Sequence, residues 1–269
     1  MNLPLFDPLN DPGPDFASLV DRAKPTALPS TPLNPGDVPH GTTVVAVTTA
    51  EGVILAGDRR ATAGNLISHR TMRKVFPADR WSGVAIAGAA GPAIEMVKLF
   101  QLQLEHYEKV EGNALSLEGK ANQLSQMVRG NLPAAMQGMV VVPLFCGYDH
   151  RREQGRLFEY DVTGGRYEES HYAASGSGSL HAGTVIKLGY STDMTREQGV
   201  DLCISALFQA ADADSATGGP DLVRGIYPII ASITVDGYTE VEESEIAERF
   251  ANMVDDLQSA TAAPVGGRP

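Results

Sequence analysis

The residues of this chain best placed to do chemistry begin at Gly41-Thr42, where a hydroxyl follows a glycine at the head of an apolar run. A hydroxyl is a weak nucleophile at neutral pH and needs a base beside it. A threonine at a chain terminus brings its own base, because an α-amine titrates at about 7.7–8 against about 10.4 for lysine. Thr42 could work in this way only after the Gly41–Thr42 peptide bond is cut. Glycine in front of it lets the carbonyl fold back towards the hydroxyl. Asp58 and Lys74 are the charges that could tune such a group. A lysine held protonated by a carboxylate lowers the pKa of a neighbouring hydroxyl and orients it. Gly88, in AIAGAAG just ahead of a helix, could offer its backbone N–H to an oxyanion.

Each of these residues also has a plainer reading. A Gly-Thr-Thr sequence opening a strand is ordinary turn-to-strand chemistry, isolated Asp and Lys residues are usually surface charges, and a glycine before a helix often serves close packing. The run Ala174-Ser175-Gly176-Ser177-Gly178-Ser179 matches neither a GxSxG nucleophile elbow nor a GxGxxG dinucleotide loop. Its plain reading is a turn with Ser179 capping a helix. The stretch Asp212–Asp221, with Asp214, Thr217, Gly218 and Gly219, reads by itself as a helix stop and polar turn.

The elements that must position these residues follow from the pattern. TTVVAVTTAEGVILAGD is two β-branched apolar runs broken at Glu51-Gly52, which predicts a hairpin. A second strand pair is predicted at Lys74–Pro77 and within residues 81–91. Pro92 suits the first turn of a helix whose buried stripe is Ala93, Val97, Phe100, Leu104 and Tyr107. The next helical stripe is Leu117, Ala121, Leu124, Val128 and Ala135, with Pro133 kinking or dividing it. Strands are expected at 138–148, 156–161 and, after Gly164-Gly165, in one short segment ending near Ala174. Helices are expected over Ser179–Tyr190, Arg196–Ala211 and Ser244–Leu257, and a strand over 229–235. Segregated strands and helices in this order predict an α+β layered domain, not a doubly wound parallel sheet.

Composition narrows the function. Nine of the seventeen prolines lie in residues 1–40, so residues 1–41 read as an extended leader with at most a short helix at Asp15–Lys24. The plainer reading, which composition alone favours, is a permanent disordered tail. The body spans 42–258 and a tail 259–269. The net charge of −12 argues against a nucleic-acid partner. No 18-residue apolar run is present, and the first thirty residues lack the pattern of a secretory signal, so no membrane partner and a cytoplasmic location are expected. Cys146 and Cys203 read as reduced core thiols. No metal-ligand spacing occurs, and no cofactor is expected.

Together, TTVVAV, GVILAGDRRAT, MRKVF, AIAGAAG, SGSGS and ADADSATGGPDLVRGI resemble, in order and spacing, the β subunits of the 20S proteasome. HYEK at 106–109, MVRGNLPAAMQG at 127–138 and DSATGGPDLVRG at 214–225 are most similar to the actinobacterial members, and the likeness runs from residue 41 to about 255. The resemblance implies the N-terminal nucleophile hydrolase fold, a four-layer αββα sandwich. It implies Thr42 as the nucleophile of a threonine protease, freed by self-cleavage of a propeptide at Gly41-Thr42. Asp58 and Lys74 would tune it, while Ser177, Asp214 and Thr217 support the amine and Gly88 donates to the oxyanion. Where the family usually has serine, Thr217 keeps the hydroxyl. Thr62 and Ala90 would pair with substrate backbone. Ala61, Met72, Phe76, Ile86 and Ala90 would line an uncharged pocket that takes apolar residues. The implied partners are proteasome α subunits, other β subunits in seven-membered rings stacked as α7β7β7α7, a ring-shaped ATPase unfoldase, and unfolded protein substrates. Pro133 departs from the commoner alanine and touches a helix, not the chemistry. The alternatives are a catalytically silent ring subunit, the simpler bacterial hexameric relative, and an amidohydrolase of the same fold acting on a small molecule. The presence of Thr42, Asp58 and Lys74 counts against the first.

Overall fold

Strand alternation explains the architecture. The computed structural model describes residues 41–262. The expected helix at Asp15–Lys24, the rest of the leader before Gly41, and the tail beyond Ala262 lie outside the described residues. Strands β1 (Thr43–Thr49) and β2 (Gly52–Gly57) form the expected hairpin. Val45, Val47, Ile54 and Ala56 point to one side of it, and Val44, Ala46, Val53 and Leu55 to the other, all buried. Two covered faces explain why these strands read as continuous apolar runs, without polar alternation.

Two five-stranded antiparallel sheets result. The first runs β10 (Tyr172–Gly176), β1, β2, β11 (Ile229–Thr234), β12 (Gly237–Glu240). The second runs β5 (Val75–Asp79), β6 (Ser82–Gly88), β7 (Val141–Asp149), β8 (Gln154–Tyr160), β9 (Arg166–Glu169). A separate two-stranded arm is β3 (Ala61–Ala63) with β4 (Leu66–His69).

Three apolar layers hold the molecule together. Between the sheets, Val44, Ala46, Val53 and Leu55 meet Val75, Ala85, Leu144, Cys146 and Leu157. Outside the second sheet, Val84, Ile86, Phe145 and Phe158 pack under helices α1 (Ala90–Glu111) and α2 (Leu117–Gly130). Outside the first sheet, Val45, Val47, Ile54 and Ile230 pack under α4 (Ser179–Gly189), α5 (Arg196–Ala213) and α6 (Glu243–Ala262). This is the expected four-layer αββα sandwich.

Several local expectations are revised. Pro133 divides the helix: α2 stops at Gly130 and a single turn, α3 (Leu132–Ala135), follows. Tyr107 and Leu257 lie on their helices' stripes but are 40% and 43% exposed. The one strand expected before Ala174 is two, β9 and β10, and they belong to different sheets. The cap of α4 is Gly178, with no side-chain cap bond, so Ser179 begins the helix and does not cap it. Helix α6 continues past Leu257 to Ala262, into the segment expected as tail. Both cysteines are free and buried, and burial pushes the Cys203 thiol up to about 12 and that of Cys146 higher still. Among the described residues no helix is long and apolar enough to cross a membrane, and no cluster could hold a metal ion.

Candidate active site

Gly41 and Thr42 sit where β1 begins, and the hairpin with β2 brings Asp58 beside them. Pairing of Val44 with Gly57 sets Asp58 just beyond the end of the ladder, opposite Thr43. Asp58 Oδ1 accepts from Thr43 N at 2.8 Å and from Lys74 Nζ at 2.6 Å. Its Oδ2 accepts from the backbone N–H groups of Arg60 and Gly218, each at 2.8 Å. Four donors thus fix a carboxylate that is completely buried.

Lys74, at the entry to β5, is also completely buried. Its ammonium donates to Asp58 Oδ1, to Arg60 O at 2.5 Å and to Gly41 O at 3.0 Å. Three acceptors match the three protons of the charged form, and a neutral amine could serve only two. Burial nevertheless lowers the pKa of Lys74, with the Asp58 charge working against that shift. The Thr42 hydroxyl donates to the same Gly41 carbonyl oxygen at 2.6 Å. Hydroxyl and ammonium therefore converge on the carbonyl oxygen of one peptide bond.

Gly41 can only be glycine here. Its φ is +127°, and a Cβ would lie 2.5 Å from Thr62 Oγ1 and 2.9 Å from Ala216 Cβ. Those contacts also place Thr62 of β3 and the 214–218 loop directly against the bond.

A second network lies behind Thr42. Because a carboxylate can only accept, the bond directions follow by elimination. Gly178 N–H donates to Thr43 Oγ1 (3.0 Å), Thr43 donates to Thr217 Oγ1 (2.6 Å), and Thr217 donates to Asp214 Oδ2 (2.6 Å). Ser177 Oγ donates to the same Oδ2 at 2.6 Å, and Ser177 N–H holds the Thr42 carbonyl at 2.9 Å. Partial burial raises the pKa of Asp214, but the bonds from Ser177, Thr217 and Ala216 N–H outweigh it and hold the group below the usual carboxylate range. A depressed pKa contributes stability above the unfolded value, lost as pH falls through the folded one. The melting-temperature gap between wild type and Asp214→Asn should therefore be constant above about pH 5 and close progressively below about pH 4. Thermal scans across that range check it, and a gap that widens in acid would contradict this assignment.

The structure thus joins Thr42, Asp58, Lys74, Ser177, Asp214 and Thr217 through hydrogen bonds. Thr43 is the residue that sequence reasoning missed, and it touches both networks, through its N–H and its hydroxyl. The doubled threonine at 42–43 was its only visible signal. Gly88 ends β6 with φ +109°, and a Cβ there would lie 2.1 Å from Val140 O, so backbone packing by itself demands the glycine. Of the expected pocket residues, Ile86 is in the layer under α1, with half-buried Phe76 against it. Ala61 is buried on β3, Met72 donates its N–H to Arg59 O, and Ala90 opens α1.

Sequence comparison agrees with this geometry. A profile of the proteasome subunit family matches residues 38–223, well over half of the chain. The chain belongs to the proteasome subunit family. Proteins named proteasome subunit beta include one from Acidimicrobium ferrooxidans, 58% identical over 252 residues that cover 91% of each chain. That of Streptomyces griseus is 59% identical over 240 residues, 86% of this chain and 85% of the relative. That of Stackebrandtia nassauensis is 52% identical over 86% of each. As a β-type proteasome subunit the chain is a threonine-type endopeptidase, a hydrolase. The match ends at residue 223, yet β11 and β12, which complete the first sheet, and α6, which packs on its outer face, follow it.

Proposed function

We propose that this chain is made as a precursor and that Thr42 cuts the bond before itself, then serves as the nucleophile of a 20S proteasome core peptidase. The observation that carries this reading is the convergence on Gly41 O of the Thr42 hydroxyl at 2.6 Å and the Lys74 ammonium at 3.0 Å. Thr42 Oγ1 attacks the Gly41 carbonyl carbon, and Lys74 stabilises the oxyanion that forms on Gly41 O. The C–N bond then breaks, the nitrogen takes up a proton as the new α-amine of Thr42, and an ester joins Gly41 to Oγ1. Water hydrolyses the ester and releases residues 1–41 as an acid.

The freed amine then acts as the base. It takes the Oγ1 proton as the oxygen attacks a substrate carbonyl and returns it to the leaving amine, and water clears the acyl-enzyme. Ser177, Asp214 and Thr217 hold the amine, and the Gly88 N–H faces the oxyanion. Thr62 and Ala90 align substrate backbone as an added strand. Ala61, Met72, Phe76, Ile86 and Ala90 carry no charge, which supports cleavage after apolar residues. The subunit works in the cytoplasm in seven-membered β rings between α-subunit rings, where an ATPase unfoldase feeds in unfolded proteins.

Intact mass of the chain co-expressed with its α subunit tests the reading. Wild type should begin at Thr42, and Thr42→Ala should keep its leader. A mutant cut at the same bond, or a wild type left whole after assembly, would overturn self-cleavage.

A further inference from the structure

Three arginines beside the 218–221 stretch have no carboxylate partner among the described residues. Arg59, Arg60 and Arg70 line a cavity of about 30 Å³ together with Gly218, Gly219, Asp221 and Tyr227. None of the three makes an ion pair among the described residues, in a chain whose net charge is −12. Arg59 Nε is buried and has no hydrogen-bond partner, and Arg60 Nη1 donates only to the neutral Ser215 carbonyl, at 3.0 Å. The one acid on the wall, Asp221, is taken by Arg224, through Nη1 at 2.7 Å and N–H at 3.1 Å. Uncompensated guanidinium groups with a buried open donor are suited to a carboxylate, which they bind with paired N–H donors. The space, about that of one water molecule, admits a carboxylate oxygen and not a whole side chain.

Continuity of the chain indicates the occupant. The leader ends at Gly41, which abuts Ala216, and the next stretch of the same loop, Gly218, abuts Arg60: a Cβ on Gly218 would lie 2.8 Å from Arg60 Cβ. Gly41, the last leader residue, therefore sits close to the wall of the arginine cavity. In the twenty residues 22–41 the sole acid is Asp37, four residues before Gly41 and flanked by Pro35 and Pro39. Four extended residues reach about 13 Å, and an arginine side chain adds several more.

We infer that Arg59, Arg60 and Arg70 form a carboxylate subsite that holds Asp37 and so anchors the leader across the scissile bond. The inference rests on the self-cleavage reading only for its consequence, faster release of the leader; the pairing itself can be read without cleavage. In the released enzyme the same subsite receives an acidic side chain four residues ahead of a substrate's cut.

The test has two parts, both on the full chain co-expressed with its α subunit. In the uncut Thr42→Ala protein, modification of Arg70 by phenylglyoxal, followed by peptide mass, should be several-fold slower than in the same protein carrying Asp37→Asn. In the Thr42 background, Asp37→Asn and Arg70→Gln should each slow leader release about three- to ten-fold at low salt, with no further loss when combined. Arg70 is exposed, so its replacement leaves the core intact. The gap should narrow in high salt. Equal modification rates with and without Asp37 overturn the pairing whether or not the chain cuts itself. Protection that survives Asp37→Asn assigns the arginines to a neighbouring copy and overturns it too. Failure of self-cleavage appears separately, as release in Thr42→Ala.

Discussion

Replacing Lys74 by Met should abolish leader release on the timescale of assembly and destabilise the chain at the same time. The ammonium supplies one of the hydrogen bonds that hold Gly41 O, the only charge among them, and removing a single oxyanion donor of this kind costs about 100- to 1000-fold. The stability loss has a different origin. Asp58 is completely buried and would be left with three backbone donors and no counter-charge, an arrangement that costs about 3–5 kcal/mol. The two effects separate in the double variant Lys74→Met/Asp58→Asn, which removes the stranded charge. Its melting temperature should recover part of the loss while leader release stays undetectable by intact mass. Recovery of cleavage in the double variant would show that Lys74 acts through folding, and its catalytic assignment would fall.

The second large effect is expected at Gly41→Ala, and it should touch maturation only. The backbone there has φ +127°, where a residue with a Cβ is strained by about 1–3 kcal/mol. The added methyl must also displace Thr62 Oγ1 and Ala216 Cβ. Any shift of the Gly41 carbonyl takes it off both Thr42 Oγ1 and Lys74 Nζ. Leader release should slow by about 10- to 100-fold. The same chain expressed with Thr42 exposed by an external processing enzyme should have wild-type peptidase kcat/KM, since residue 41 is absent from it. Unchanged release by Gly41→Ala in a gel time course would show that the bond reacts in another conformation.

Much of the frame was visible in the pattern. The β1–β2 and β5–β6 pairs and most of the α1 and α2 stripes have their core positions set by local alternation and helical spacing, and Ala93, Val97, Phe100, Leu104, Leu117, Ala121, Leu124 and Val128 are buried as expected. The two-stranded arm β3–β4, the edge strand β12 and the split between β9 and β10 were not visible. These segments are three to five residues long, and whether they are strands depends on a neighbour to pair with, which a local window does not contain. Tyr107 and Leu257 show the converse. Their helical spacing is right, but spacing says which face a residue occupies and not how far along the helix the covering layer extends.

At the site the division is sharper. Sequence by itself determined which groups are present: a threonine behind a glycine, an acid just after one strand and a lysine just before another, and a serine, an aspartate and a threonine in two polar loops. In that order and spacing they identify the family. Tertiary structure decided what each group does. Lys74 is 33 residues from Gly41 and 16 from Asp58, and only the stacking of the two sheets brings its nitrogen to both at once. Backbone groups complete the site, among them Arg60 O, Gly178 N–H, Gly218 N–H and the Gly41 carbonyl itself, and every residue type carries those. Their selection is written in where the chain turns. The role of Thr43 as the link between both networks, and the gathering of Arg59, Arg60 and Arg70 on one cavity, follow from the same cause: hydrogen bonds and charge act through distances of a few ångströms, which the fold sets and residue spacing along the chain does not.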